Sequence, residues 1–288
     1  LAEQLVARRG GGLDTAATNH DILEAQREFL MADYDNRLMR GAAATGAIGV
    51  DAGLRAYMLR VYNYMLVGLL VTGLASLAVY SLSVTTDTTA GAVALPGGLM
   101  LTQFGATLFL SPLRWVVIFA PVVLALFVQM RIQHLSVGAA LSGFLGYAAM
   151  IGASVGTISM FVYTGTSIAQ VFFITAAAFG GLSLWGYTTQ RDLTGFGSFL
   201  IMGAWGLFIA FAVNMFFRSP MVMWVGSVAG VGIFAGLTAY YTQMIKNMYY
   251  VGDDGTVAGR KAVLGALVLY ISFVNMFMML LNLMGNRR

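Results

Sequence analysis

FGSFLIMGAWGLFIAFAVNMFF, Phe196 to Phe217, runs for 22 residues without one charged side chain. At 1.5 Å of rise per residue, such a run is long enough to cross the ~30 Å hydrocarbon layer of a bilayer as a helix. Lipid offers no hydrogen-bond partners, so the backbone of a crossing segment must satisfy itself, and a helix does so internally. Working outward from this stretch, comparable runs lie near 61–83, 113–131, 136–161, 166–187, 221–246 and 261–284. The pattern predicts an all-α integral membrane protein, a bundle of seven transmembrane helices behind a polar N-terminal arm.

Composition agrees with lipid as the solvent. The 288 residues are 59% hydrophobic and 10% charged, where a soluble domain is about a quarter charged. Eight of the twelve acidic and six of the sixteen basic residues fall in residues 1–56, which are read as the arm, with 57–288 as the membrane domain. With no cysteine in the chain, disulfides, thiolate metal sites and cysteine nucleophiles are excluded. His20 and His134 lie in different segments, so neither a zinc cluster nor a Ser-His-Asp arrangement can be assembled. Glycine-rich stretches at Gly10–Gly12 and Gly41–Gly49 lack the phosphate-loop pattern. No cofactor is expected, and no enzymatic activity. The net charge of +4 is thinly spread and shows no basic stripe with interleaved aromatics, which argues against a nucleic-acid partner.

The N-terminus does not read as a signal peptide, because it is charged throughout. The chain starts at Leu1, and Met31 is an alternative start that would make residues 1–30 an extension or a processed region. Between His20 and Met39 the apolar residues recur loosely enough for a short amphipathic helix, and Gly41–Gly49 reads as a linker. The longest connection is 84–112. It holds a turn signal at Pro96-Gly97-Gly98, then an apolar piece, Leu99 to Leu110, that is too short to span and is expected at the interface or folded back. With the N-terminus inside, Arg55, Arg60, Arg131, Arg191, Lys246, Arg260 and Lys261 face the cytoplasm, against Arg114, Arg218, Arg287 and Arg288 outside. The excess favours a cytoplasmic N-terminus, and seven spans then carry the C-terminus to the other side. Gly152/Gly156, Gly226/Gly230 and Gly232/Gly236 form small-xxx-small pairs, expected to pack helices within the bundle rather than to dimerise it. Met221, Met223, Met276, Met278, Met279 and Met284 are read as adaptable packing rather than a copper path.

Two stretches carry a specific likeness: YTTQRDLTGFGSFL (Tyr187 to Leu200) and FAGLTAYYTQMIKNMY (Phe234 to Tyr249), the latter followed by GRKAVLGALVLYISFVNMFMMLLNLMGNRR to the C-terminus. They resemble the Bax inhibitor-1 family of membrane proteins in its bacterial branch. DAGLRAYMLRVYNYM before the first span and VYTGTSIAQVFFITAAAFGGLSLWGY point the same way. The resemblance covers nearly everything after residue 31. It implies a seven-helix fold with the last helix held centrally, and a bacterial inner membrane location. It also links the chain to slow, pH-sensitive calcium leak, to protection from cell death, and to modulation of a membrane-bound protease.

In the leak mechanism that the resemblance implies, two aspartates on the last two helices form a hydrogen-bonded pair, in motifs like A-[YW]-D-T-Q-x-I-K and L-Y-L-D-F-[IL]-N-x-F. Here the first reads AYYTQMIK and the second LYISFVNMF. Tyr241 and Ser272 stand where the aspartates would be. Two carboxylates in low dielectric share a proton near neutral pH; a phenol and a hydroxyl do not. After residue 56 the acids are Asp87, Asp192, Asp253 and Asp254, all outside or at the edges of the spans.

Ser272, Asn275, Met279 and Asn282 recur at helical spacing and share one face of the last helix. This face reads as a polar seam lining a cavity or, preferably, as hydrogen-bonding glue between helices; Asn214 and Gln129 are read likewise. Arg131, Arg191 and Asp192 are read as structural charges, with Arg191 meeting Asp192 or carbonyls at a helix end. The expectation is an accessory or structural subunit, or modulator, that binds another integral membrane protein and lacks the carboxylate gate. The alternative is a calcium or cation leak that works without the aspartate pair.

Overall fold

The computed structural model describes residues 52–86, 93–94 and 99–286. The arm expectations, namely the amphipathic helix, the glycine linker and the extension over 1–30, lie outside the described residues. So do Asp87, the turn at Pro96-Gly97-Gly98, and Arg287 and Arg288.

Seven helices are long and apolar enough to cross a membrane. They are α1 (Ala52–Ser83), α3 (Leu113–Arg131), α4 (Val137–Val162), α5 (Gly165–Thr188), α6 (Thr194–Phe217), α7 (Pro220–Met248) and α8 (Gly255–Met284). Each matches one of the predicted runs, with Ser136 falling outside α4 as its cap. The first and last begin well before their apolar stretches, because Arg55, Arg60, Arg260 and Lys261 are helical too. Several starts are fixed by the residue types that favour them. Ser136, Thr164, Ser219 and Asp254 each accept from the backbone N–H three residues on, satisfying donors that a helix start leaves free. Pro220 follows its cap at the first turn of α7, where a missing N–H costs nothing.

The 84–112 segment is richer than the sequence predicts. Three two-residue strands, β1 (Val84–Thr85), β2 (Val93–Ala94) and β3 (Met100–Leu101), form an antiparallel sheet in the order β1-β3-β2. The apolar piece becomes α2 (Gln103–Leu110), about 12 Å long and too short to span. Its cap, Thr102, donates its hydroxyl to the Leu82 carbonyl at 2.7 Å and its N–H to the Ser83 carbonyl at 3.0 Å, tying α2 back to the end of α1. No periodicity in so short a stretch announces strands; the pairing arises because these backbone groups lack a helix to satisfy them.

α4 is not one uniform helix. A π-helical turn, Gly152–Gly156, separates Val137–Ile151 from Thr157–Val162. Its two glycines lie against α1: a Cβ on Gly152 would overlap the Thr72 carbonyl, and one on Gly156 would meet the Ser76 hydroxyl at 2.7 Å. Thr157 donates back to the Gly152 carbonyl at 3.1 Å, recovering an acceptor that the wider turn displaces.

The last helix forms the centre. α8 packs against α7, α5 and α4, and 50% of its most apolar window is buried, against 11% for α6 and 17% for α1 and α3. Ala262, Val263, Ala266, Leu267, Leu269, Tyr270, Phe273 and Met276 line the main hydrophobic core. The Tyr270 ring meets Phe144 and Tyr147 edge-on, at 5.5 and 5.6 Å, the geometry aromatic quadrupoles favour. The outer helices instead leave Leu70, Phe173, Phe199 and Phe216 exposed, the arrangement of a bundle whose solvent is hydrocarbon.

Candidate functional site around the last two helices

α7 and α8 run antiparallel. Gly265 of α8 sits against Ile245 of α7, and Asn282 donates to the Ser227 hydroxyl at 2.7 Å near the other end. In that register Ser272 lies level with Thr238, about a turn from Tyr241. Ser272 is 1% exposed and its hydroxyl has no hydrogen-bond partner, so Tyr241 and Ser272 do not form a bonded pair. Tyr241 is half-buried against the core and stacks at a tilt on Tyr240, ring centres 5.2 Å apart.

The rest of the predicted polar face is parted by its bonding. Asn275 turns back on its own helix and donates to the Ile271 carbonyl at 2.8 Å. Met279 packs on Gly230, where a Cβ would meet its Cγ at 2.9 Å. Asn282 reaches α7 through Ser227. Asn214 brackets the α6–α7 turn, accepting from the Ser219 N–H at 2.8 Å and donating to the Ser219 carbonyl at 3.2 Å.

Of the predicted structural charges, Arg131 ends α3 and is exposed. Arg260, which the sequence reading did not single out, reaches the α3–α4 turn, donating to the Gln133 carbonyl at 2.6 Å. Asp192 does not turn to Arg191. It accepts from the hydroxyl and N–H of Thr194, at 2.6 and 2.9 Å. A bond two residues along the chain closes with less entropy than holding a long arginine side chain in place. The Thr194 hydroxyl, then its N–H, holds the Asp192 carboxyl below its usual range.

That α5–α6 turn is gripped by α7, which the sequence did not reveal. Gln243 accepts from the Leu193 N–H at 2.8 Å and donates to the Arg191 carbonyl at 2.7 Å. One helix turn away Lys246 donates to the Tyr187 carbonyl at 2.9 Å and lies 5.1 Å from the Tyr187 ring centre. Two hydroxyl links join distant helices inside the bundle. Tyr62 of α1 meets Ser183 of α5 at 2.5 Å, and Ser183 meets Thr242 of α7 at 2.9 Å. Thr72 of α1 meets the Tyr270 hydroxyl of α8 at 2.5 Å. These partners lie up to 198 residues apart, beyond the reach of any local pattern.

No Asp, Glu, Lys, Arg or His side chain lies in the middle of the bundle among the described residues. The described carboxylates, Asp192, Asp253 and Asp254, sit at the α5–α6 and α7–α8 turns, and Asp253 pairs with Lys261 at 2.5 Å. No cluster of three or more potential metal-ligating side chains occurs among the described residues. The arrangement is a hydroxyl- and amide-laced seven-helix membrane bundle built around a buried last helix.

This architecture defines a polytopic helical membrane protein, and comparison with known proteins names its family. The sequence profile described as "Inhibitor of apoptosis-promoting Bax1" matches residues 54–288. The chain is 42% identical over 260 residues to a Caulobacter vibrioides protein, covering 90% of this chain and all of that one. It is 41% identical over 239 residues to the inner membrane protein YbhL of Escherichia coli K12, covering 82% and 94%. Protein RP147 of Rickettsia prowazekii is 39% identical over 238 residues, covering 83% and 92%. The chain belongs to the Bax inhibitor-1 family, in its bacterial branch.

Proposed function

We propose that this chain is a non-enzymatic member of its family that binds another integral membrane protein, as an accessory subunit or modulator, without a carboxylate pH gate. One observation carries this reading: the family bundle is retained, while the described span interiors hold no carboxylate, not even at Tyr241 and Ser272, where the resemblance implies the aspartate pair. Intramembrane ionisable residues are the usual sign of an ion or proton path. The side chains around α8 are instead committed to aromatic packing and hydroxyl links. A cation leak without the pair would rest on the unbonded Ser272 hydroxyl and on Asn275, whose amide is turned onto its own helix. Neutral oxygens alone bind Ca²⁺ weakly. Purification of the full chain from native membranes in mild detergent is expected to yield a stoichiometric integral membrane partner, lost on deletion of residues 1–50. A lone monomer from those membranes would overturn the subunit reading.

The relative YbhL is named an inner membrane protein, and we assign this chain to the same membrane with its N-terminus cytoplasmic and its C-terminus periplasmic. Arg55, Arg131, Arg191, Lys246, Arg260 and Lys261 gather at one end of the bundle, while Arg114 and Arg218 are the described basic residues at the other, and basic ends stay inside. An alkaline phosphatase domain fused after residue 288 should be active, and a fluorescent protein there dark. The reverse pair of signals would invert the assignment.

A further inference from the structure

At the α6–α7 turn the bundle opens into a cleft of about 670 Å³, lined by Phe211, Asn214, Arg218, Met223, Trp224 and Asn282 among others. Its volume is that of a small-molecule site. Its amides are tied into the walls: Asn214 to Ser219, Asn282 to Ser227. Gly226 shapes it, because a Cβ there would meet the Phe211 ring at 2.7 Å and push that wall aside.

Arg218 stands out for two independent reasons. First, it ends α6 in the left-handed conformation, φ 52°, and is the one described non-glycine residue with positive φ. Helices that close this way normally use glycine or asparagine there, since a Cβ is strained. An arginine is a poor local choice, and backbone outliers of this kind gather at functional sites. Second, its guanidinium has no carboxylate near it among the described residues. Asp192, Asp253 and Asp254 are all at the opposite end of the bundle, a full span away. The surroundings are the membrane boundary: Phe216 and Phe217 are 81% and 78% exposed, and Met221 and Trp224 are exposed beside them. Tryptophan and arginine at the end of a span mark the headgroup level.

We propose that this cleft binds one anionic phospholipid, its phosphate on Arg218 and an acyl chain along Phe211, Met223 and Trp224. The planar guanidinium fork suits two phosphate oxygens. The apolar walls select a lipid over a free anion, which would leave them uncovered.

The test uses the full chain in mild detergent, stripped of lipid and titrated with phosphatidylglycerol, read by native mass spectrometry and by melting temperature. Arg218→Asn and Arg218→Gly remove the charge while suiting the left-handed backbone, so both variants should fold and melt at or above the wild-type temperature without lipid. Wild type is expected to take up one lipid and gain melting temperature. Both variants should bind about tenfold more weakly and lose that gain. Equal binding by wild type and both variants would overturn the site. So would an uncharged diacylglycerol binding as tightly as phosphatidylglycerol, or inorganic phosphate alone reproducing the full thermal shift.

Discussion

Gly186→Val is expected to cost the folded bundle about 3 kcal/mol or more, read as a collapse of the melting transition in mild detergent. Gly186 lies on α5 where the backbone of α7 crosses it. A Cβ there would overlap the Ala239 carbonyl and lie 2.8 Å from the Ala239 Cα. The obstacle is backbone, which cannot rotate away as a side-chain tip can. α5 would therefore have to part from α7, with Thr242 drawn from Ser183 and Gln243 from the α5–α6 turn. Glycine at this contact lets two helices approach closely enough for dispersion and interhelical hydrogen bonds to act, which is how helices associate in lipid. Gly181 provides the control on the same helix. Nothing lies within 4 Å of its Cβ position, so Gly181→Val should lose no more than the small helix penalty of a β-branched residue. If Gly186→Val melts together with Gly181→Val, the close approach of α5 and α7 is not what holds the bundle.

The second large effect concerns the Tyr241→Asp/Ser272→Asp double variant. Wild-type protein in liposomes is expected to show no pH-switched calcium flux, because neither Tyr241 nor Ser272 exchanges a proton near neutral pH. In the double variant, two carboxylates about a turn apart on packed helices cannot both ionise cheaply in low dielectric, so they share a proton and lose it as the medium becomes alkaline. Flux that differs between mildly acidic and mildly alkaline buffer should therefore appear only when both acids are present. Each single variant should lack the switch, and Ser272→Asp should be the less stable of the two, since Ser272 is 1% exposed and the described Lys and Arg residues lie toward the span ends, leaving a buried carboxylate there without an offsetting charge among the described residues. A pH-switched calcium flux in wild type, abolished by Tyr241→Phe or Ser272→Ala, would sink the gate-less reading altogether.

What could be read without a structure was set by solvent. Each span is a stretch whose backbone must bond internally and whose surface must suit hydrocarbon, and both demands are written in contiguous residues such as Phe196 to Phe217. The seven helices and the short apolar piece at Leu99 to Leu110 were legible for that reason. So were the family and its central last helix, through motifs such as FAGLTAYYTQMIKNMY.

Tertiary structure decided which polar and small residues matter. Asn275 and Asn282 share a face by spacing, yet one bonds to its own helix and the other to Ser227. Gly181 and Gly186 look alike in sequence, and only Gly186 touches another backbone. Asp192 turned to Thr194 rather than Arg191, and Gln243 gained a turn fifty residues away. The reason is common to all of them. Hydropathy is a sum over neighbours along the chain, whereas a hydrogen bond or a close approach depends on a single rotation and register between helices. That register was set by the packing of the other, similar helices with α8, and no local stretch of sequence encodes it.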